Sequence, residues 1–105
     1  MRQFDVHRNL GTTRAEFPYL VVLQSSLFRS SSRRVVIPLA RALPHLPQGE
    51  RLNPVFEIED GSFSLMTLAI LNLPVDRLGP RVANLSDKSD AIIAAVDWMM
   101  TRAWN

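Results

Sequence analysis

The chain has 105 residues, of which 47% are hydrophobic, and its formal net charge is only +2 at pH 7. That length suits one domain, so we predict that residues 1–105 fold as a single unit around one core. The sequence has no cysteine, which excludes disulfides, and no apolar run as long as a membrane helix or a signal-peptide core, so we expect a soluble cytoplasmic protein.

The first half of the chain predicts short strands separated by turns. Alternating apolar residues suggest a strand at 3–8, and a continuous apolar run at 19–24 predicts a strand that is buried on both faces. A second apolar run at 33–40 predicts another strand. Because Pro38 cannot donate a hydrogen bond to a neighbouring strand, we expect it to mark an edge, a bulge or the end of that strand.

The middle of the chain predicts a hairpin followed by less regular segments. Strands are expected at 55–58 and 62–66, and Asp60-Gly61 between them is a turn signal. The segment 67–73 fits either a helix or a strand, and the segment 81–85 is short and apolar. Together these patterns predict mainly β structure.

A C-terminal α-helix is the clearest predicted element. Ser86 or Ser89 suits its N-cap, because a serine hydroxyl accepts a hydrogen bond from a free amide of the first turn. Apolar residues at three-four spacing predict a stripe that faces the core, formed by Ile92, Ala95, Val96, Met99, Met100 and Ala103. A second face collects Ile93, Asp97, Met100, Thr101 and Trp104. Trp98 lies opposite the core stripe, so it packs elsewhere or anchors a partner.

No catalytic motif stands out in the sequence. His7 and His45 are far apart and no cysteine accompanies them, so a metal site is not predicted. Phosphate-loop and serine-nucleophile motifs are absent, and Glu57 with its acidic neighbours suits a solvated strand face. One catalytic arrangement stays open: a metal-free ribonuclease needs a base, an acid and an arginine, which Arg33 or Arg34 with a histidine or Glu57 could supply.

Several segments follow one another in a recognisable order along nearly the whole chain. They are Gln3-Phe4, VLQS at 22–25, RRVVIPLA at 33–40, NPVFEI at 53–58, LMT at 65–67, PV at 74–75, VANLS at 82–86 and AIIAAVD at 91–97. In order and spacing they resemble the CcdB family of toxins, and RRVVIPLA is the most specific of them. The resemblance implies an SH3-like antiparallel β-barrel with a C-terminal α-helix, a mainly β (α+β) fold that this family shares with the Kid and MazF ribonucleases.

The resemblance also implies a function. CcdB-family toxins are homodimers without a cofactor, and they are not enzymes: they bind the A subunit of DNA gyrase and trap it on cleaved DNA. A CcdA-like antitoxin neutralises the toxin, and operator DNA is bound only through the toxin–antitoxin complex. The alternatives are a ribonuclease toxin on the same fold, a toxin with another large target, and a degenerate relative that keeps antitoxin binding and operon autoregulation.

The gyrase-binding positions of the family follow the second strand and occupy the end of the last helix. By resemblance they correspond to Leu27, Phe28, Asp97, Met100, Thr101, Arg102 and Ala103. Where the family ends in Trp-Gly-Ile, this chain has Thr-Arg-Ala at 101–103 and continues for two residues. A helix that continues places Trp104 on the same face as Asp97 and Thr101, so we expect Trp104 to replace the family's tryptophan.

Overall fold

The structure, a computed structural model, describes residues 2–43, 51–59 and 61–101. Within these ranges the strands are β1 Asp5–Asn9, β2 Tyr19–Val22, β3 Arg33–Arg41, β4 Val55–Ile58, β5 Gly61–Leu65, β6 Leu71–Pro74 and β7 Leu78–Asn84. One α-helix, α1, covers Ser89–Thr101, and short 3₁₀ turns lie at Ser26–Phe28, Thr67–Ala69, Val75–Arg77 and Ser86–Lys88. No helix in the described ranges combines the length and the apolarity needed to cross a membrane.

The strands form one antiparallel sheet in the order β4-β5-β3-β2-β1-β7, and β6 pairs with β3 beside that path. The sheet is strongly curled. Its curl is shown by the hydrogen bond between Glu59 in the β4–β5 hairpin and Arg8 of β1, which are separated by three strand spacings. In a flat sheet β5 and β1 would lie about 14 Å apart. This curled sheet with one C-terminal helix confirms the predicted α+β, SH3-like barrel architecture.

Strand β3 organises the sheet, because it has different neighbours along its length. One edge pairs with β2, whereas the other pairs with β6 over 33–36 and with β5 over 39–41. Pro38 lies where β6 gives way to β5, and its carbonyl accepts a hydrogen bond from the amide of Met66 at 2.9 Å. The expectation that Pro38 marks an edge, a bulge or a strand end was therefore wrong, because the proline lies inside β3, at the break between the two ladders, where its missing amide interrupts neither of them.

Two apolar clusters cover the two faces of the sheet. The larger contains Val21, Ile37 and Leu65, and α1 packs Ile92 and Ala95 onto it. The smaller, on the opposite face, contains Leu20, Val22, Val36, Leu73 and Leu78. All four residues of β2 are buried. The prediction that the apolar run at 19–24 is buried on both faces is confirmed for these four residues.

The structure differs from the sequence predictions, or refines them, at the hairpin, in the segment 67–73 and on the helix. The hairpin pairs Ile58 with Gly61, so the loop begins at Glu59, which adopts a left-handed φ of 55°; Asp60, half of the predicted turn, lies outside the described residues. The segment 67–73 divides into a 3₁₀ turn and most of β6. In the helix stripe, Met100 is 66% exposed, so its assignment to the core was wrong, while its assignment to the second face holds.

Candidate interaction surface

The pair Leu27 and Phe28 stands on an exposed 3₁₀ turn that connects β2 to the loop before β3. Their exposed fractions are 83% and 60%. Ser25 caps this turn, because its hydroxyl accepts a hydrogen bond from the amide of Leu27 at 3.2 Å and its carbonyl accepts one from the amide of Phe28 at 3.0 Å. The cap fixes the backbone, so two large apolar side chains are presented to solvent on an ordered turn.

Arg34 holds the loop that follows this turn. Its guanidinium donates to the carbonyls of Ser31 at 2.6 Å, Arg33 at 2.8 Å and Arg29 at 2.9 Å. The residue is only 6% exposed, although it carries a charge. The buried guanidinium donates to three carbonyls and so holds the loop together. Through this loop Arg34 positions the Leu27–Phe28 turn indirectly.

The described part of the helix end is polar on one side and apolar on the other. Thr101 donates its hydroxyl to the carbonyl of Asp97 at 2.7 Å and lies 3.4 Å from the Asp97 carboxylate. Met100 projects into solvent beside them. Arg102, Ala103 and Trp104, the remaining predicted site residues, lie outside the described residues. The candidate surface thus comprises the Leu27–Phe28 turn and the Asp97–Thr101 helix end, which belong to separate elements of the chain.

A further apolar area lies beside α1. Leu68, in the 3₁₀ turn against which α1 packs, is 71% exposed, and Ile93 on α1 is 50% exposed. No pattern in the sequence marks Leu68 as exposed, because a leucine between two strands is typical of a core residue. Trp98 packs under the guanidinium of Arg51, whose central carbon lies 4.8 Å from the ring centroid. Trp98 thus packs on one neighbour and is still 37% exposed, so its role as a partner anchor stays a prediction.

The residues suggested for a ribonuclease centre are engaged elsewhere. Arg33 binds the side-chain oxygen of Asn72 at 2.5 Å and its carbonyl at 3.1 Å, and Arg34 binds loop carbonyls as described. Glu57 accepts a hydrogen bond from Ser62. His45 lies outside the described residues. Among the residues that are described, no cluster of metal ligands occurs. These bonds hold each of the three described side chains to a neighbour, and none of them joins an arginine to Glu57.

Another group of polar side chains does come together at the rim of the barrel. Glu59 accepts hydrogen bonds from the hydroxyl of Tyr19 and, at 3.0 Å to each oxygen, from the guanidinium of Arg8. Arg8 also lies 5.7 Å from the centroid of the Tyr19 ring. Burial, and then the hydrogen bond to Glu59, raise the pKa of Tyr19 above its ordinary value of about 10. The three side chains will be called the rim cluster.

Both the sequence and the fold have counterparts among known proteins. The sequence model of the family described as "CcdB protein" matches residues 3–101, almost the full chain. The structure is similar to a solved "Endoribonuclease in complex with its cognate antitoxin from Mycobacterial species", with a TM-score of 0.75 and 13% sequence identity. The match covers 100% of this chain and 99% of that chain. At that identity, the likeness shows a shared fold.

Proposed function

The chain belongs to the CcdB family, and from that premise we propose that it is the toxin of a toxin–antitoxin module that disables DNA gyrase by binding its A subunit. The observation that carries the proposal is the exposure of Leu27 and Phe28 on a turn fixed by Ser25 and Arg34. Large apolar side chains on a fixed backbone lose less entropy when they dock than side chains on a mobile loop, so they make effective anchors. Binding needs no reaction centre, so the proposed toxin is not an enzyme and has no cofactor.

The proposed toxin acts as a homodimer in the cytoplasm. The exposed apolar side chains of Leu68 and Ile93, on two elements that pack together, support an interface beside α1, because large exposed apolar areas often mark interaction sites. A two-fold arrangement would place two copies of the helix end side by side. Its further partners in the proposal are a CcdA-like antitoxin and operator DNA, the latter only through the antitoxin complex.

The test begins with expression of the toxin in cells that lack the antitoxin. We expect growth arrest and accumulation of gyrase–DNA cleavage complexes. Replacing Leu27 or Phe28 by alanine should weaken binding to the gyrase A subunit by about 30-fold, the loss typical of an interface anchor worth about 2 kcal/mol. Leu10→Ala is the matched control, because Leu10 is 52% exposed and outside the candidate surface. Growth arrest without cleavage complexes would contradict gyrase as the target.

The C-terminal residues enter the proposal through Trp104. We propose that Trp104 supplies the aromatic anchor in place of the family's tryptophan, next to Arg102 and Ala103. Trp104→Ala should abolish killing while leaving the unfolding transition unchanged. Trp98→Ala is the comparison, because it removes the other tryptophan, which packs under Arg51. Full toxicity of the Trp104 variant would remove this anchor from the proposal.

A second candidate function is a ribonuclease toxin, and the rim cluster is the observation that favours it. It brings together a carboxylate, a phenol and a guanidinium, the groups that metal-free cleavage of RNA requires. The solved structure with this fold is an endoribonuclease. Purified protein would then cleave transcripts, and Glu59→Gln would abolish cleavage. Intact transcripts after prolonged incubation would exclude this candidate.

A further inference from the structure

A pocket of about 370 Å³ opens on the face of the sheet opposite α1. Its floor is made by the buried side chains of Leu20, Pro38 and Leu73, and Phe17 and Leu71 form its walls. Pockets that hold small molecules typically measure about 300–1,000 Å³ and are mostly apolar. None of the described residues assigned to target binding lines this pocket, so it is a site apart from the Leu27–Phe28 turn and the Asp97–Thr101 helix end.

The polar groups at the pocket indicate the charge of its ligand. The side chain of Asn9 is already hydrogen-bonded within its own loop, because it donates to the Phe17 carbonyl at 2.8 Å and accepts from the Gly11 amide at 2.8 Å. Among the described residues of the lining, Arg77 is the one that carries a charge, and it is exposed at the mouth. Within the described residues no carboxylate lies within ion-pairing distance of its guanidinium. As far as the described ranges extend, the mouth therefore offers an unpaired cation above an apolar interior.

The neighbouring strand edge argues against an extended peptide as the ligand. Residues 72 and 74 of β6 direct their backbone groups away from β3, because Val75 donates to the Ser32 carbonyl and the ladder alternates. Pro74 has no amide hydrogen, and the carbonyl of Asn72 already accepts a hydrogen bond from Arg33 at 3.1 Å. A peptide that adds to a sheet needs such free groups, and this edge offers only the amide of Asn72 and the carbonyl of Pro74 among the described residues.

We propose that this pocket binds a small amphiphilic carboxylate. The apolar chain or ring of the ligand fills the space above Leu20, Pro38 and Leu73, and its carboxylate pairs with the guanidinium of Arg77. A forked guanidinium matches the two oxygens of a carboxylate, and each methylene that enters the pocket tightens binding about fourfold.

The experiment follows the backbone amide resonances of isotope-labelled protein during titration with decanoate, below its micelle concentration, and with decanol as the neutral match. We expect saturable shifts at Gly11, Thr12, Leu71 and Leu73. Arg77→Met should weaken decanoate binding about tenfold and leave decanol binding unchanged, because it removes one charge-assisted contact. Lys88→Met is the control, since Lys88 lines a different pocket beside β4.

Filling the pocket supplies the complementary test. Ala69→Phe places a ring into the space from a partly exposed lining position and should abolish binding of both ligands. Shifts concentrated at Leu27, Phe28 and Met100 would instead show adsorption to exposed apolar surface and overturn the proposal. Equal losses for Arg77→Met and Lys88→Met would also overturn it. Dissociation of an oligomer by decanoate would show that a second copy covers the pocket, which likewise contradicts a ligand site.

Discussion

The hydroxyl of Tyr19 donates a hydrogen bond to the carboxylate of Glu59, a residue 40 positions further along the chain. The bond joins the start of β2 to the β4–β5 hairpin, and Arg8 of β1 binds the same carboxylate. The ring of Tyr19 also meets the ring of Phe63 edge-on, with 4.9 Å between centroids. The rim cluster therefore fastens the two sides of the curled sheet to each other.

The raised pKa of Tyr19 predicts a loss of stability in alkali. The folded state keeps the phenol proton more tightly than the unfolded chain, whose tyrosine ionises near its ordinary pKa of about 10. The contribution is therefore complete below pH 10 and is lost as the pH rises through the folded pKa. Tyr19 is the only tyrosine, so the absorbance of its phenolate reports its ionisation directly. Tyr19→Phe should flatten the dependence of the unfolding free energy on pH above 10; an unchanged slope would contradict the assignment.

The ion pair of the rim cluster should contribute little by itself. The side chains of Arg8 and Glu59 are 49% and 36% exposed, so water and salt screen their attraction. A double-mutant cycle with Arg8→Met and Glu59→Gln should give a coupling free energy below about 1 kcal/mol, measured by denaturant unfolding. The coupling should fall further when the salt concentration rises. A coupling several times larger would show that the pair is shielded from solvent.

The two adjacent arginines at the start of β3 should behave differently. Arg34 is buried and donates to three loop carbonyls, whereas Arg33 is exposed and binds Asn72. We expect Arg34→Met to lower the unfolding free energy by about 3 kcal/mol, because it removes three hydrogen bonds made by a buried guanidinium, and Arg33→Met by less than about 1 kcal/mol. Calorimetric unfolding of both variants measures the difference.

The Arg33 and Arg34 variants also distinguish an effect on folding from an effect on target binding. Below its unfolding temperature, the Arg34 variant should also bind the gyrase A subunit more weakly than the Arg33 variant, because its loop no longer fixes Leu27 and Phe28. Equal binding by the two variants would mean that Arg34 does not position the turn.

The sequence predicted those features that depend on local pattern. The unbroken apolar run in β2 correctly indicated burial on both faces, because each face of the sheet carries its own apolar cluster. The helix followed from the three-four spacing of its apolar residues, and Ser89 is its first residue. The exposure of Met100 did not, because periodicity gives the relative phase of helix residues, whereas the core covers only Ile92 and Ala95 completely.

Features that depend on distant contacts were beyond the sequence. Pro38 lies inside β3 because two other strands meet beside it, and nothing near the proline in sequence encodes that junction. Arg34 reads as a surface charge, yet the loop before it folds back to supply three carbonyl acceptors. The pairing of Tyr19 with Glu59 likewise requires the curl of the whole sheet. The positions of the candidate surface were predicted by the family resemblance. The exposure of Leu27 and Phe28 and the capping of their turn became visible only in the structure.

His7 offers a test of how a buried polar group is tolerated. It is 7% exposed, and its Nδ1 donates to the Gly79 carbonyl at 2.8 Å, whereas its Nε2 has no hydrogen-bond partner among the described residues. His7→Phe keeps a planar ring, removes the unpaired nitrogen and loses one bond, so these effects should offset to within about 1 kcal/mol. His7→Ala leaves a cavity as well and should cost about 3 kcal/mol. Chemical unfolding of both variants measures these costs, and equal losses would show that the bond to Gly79 dominates.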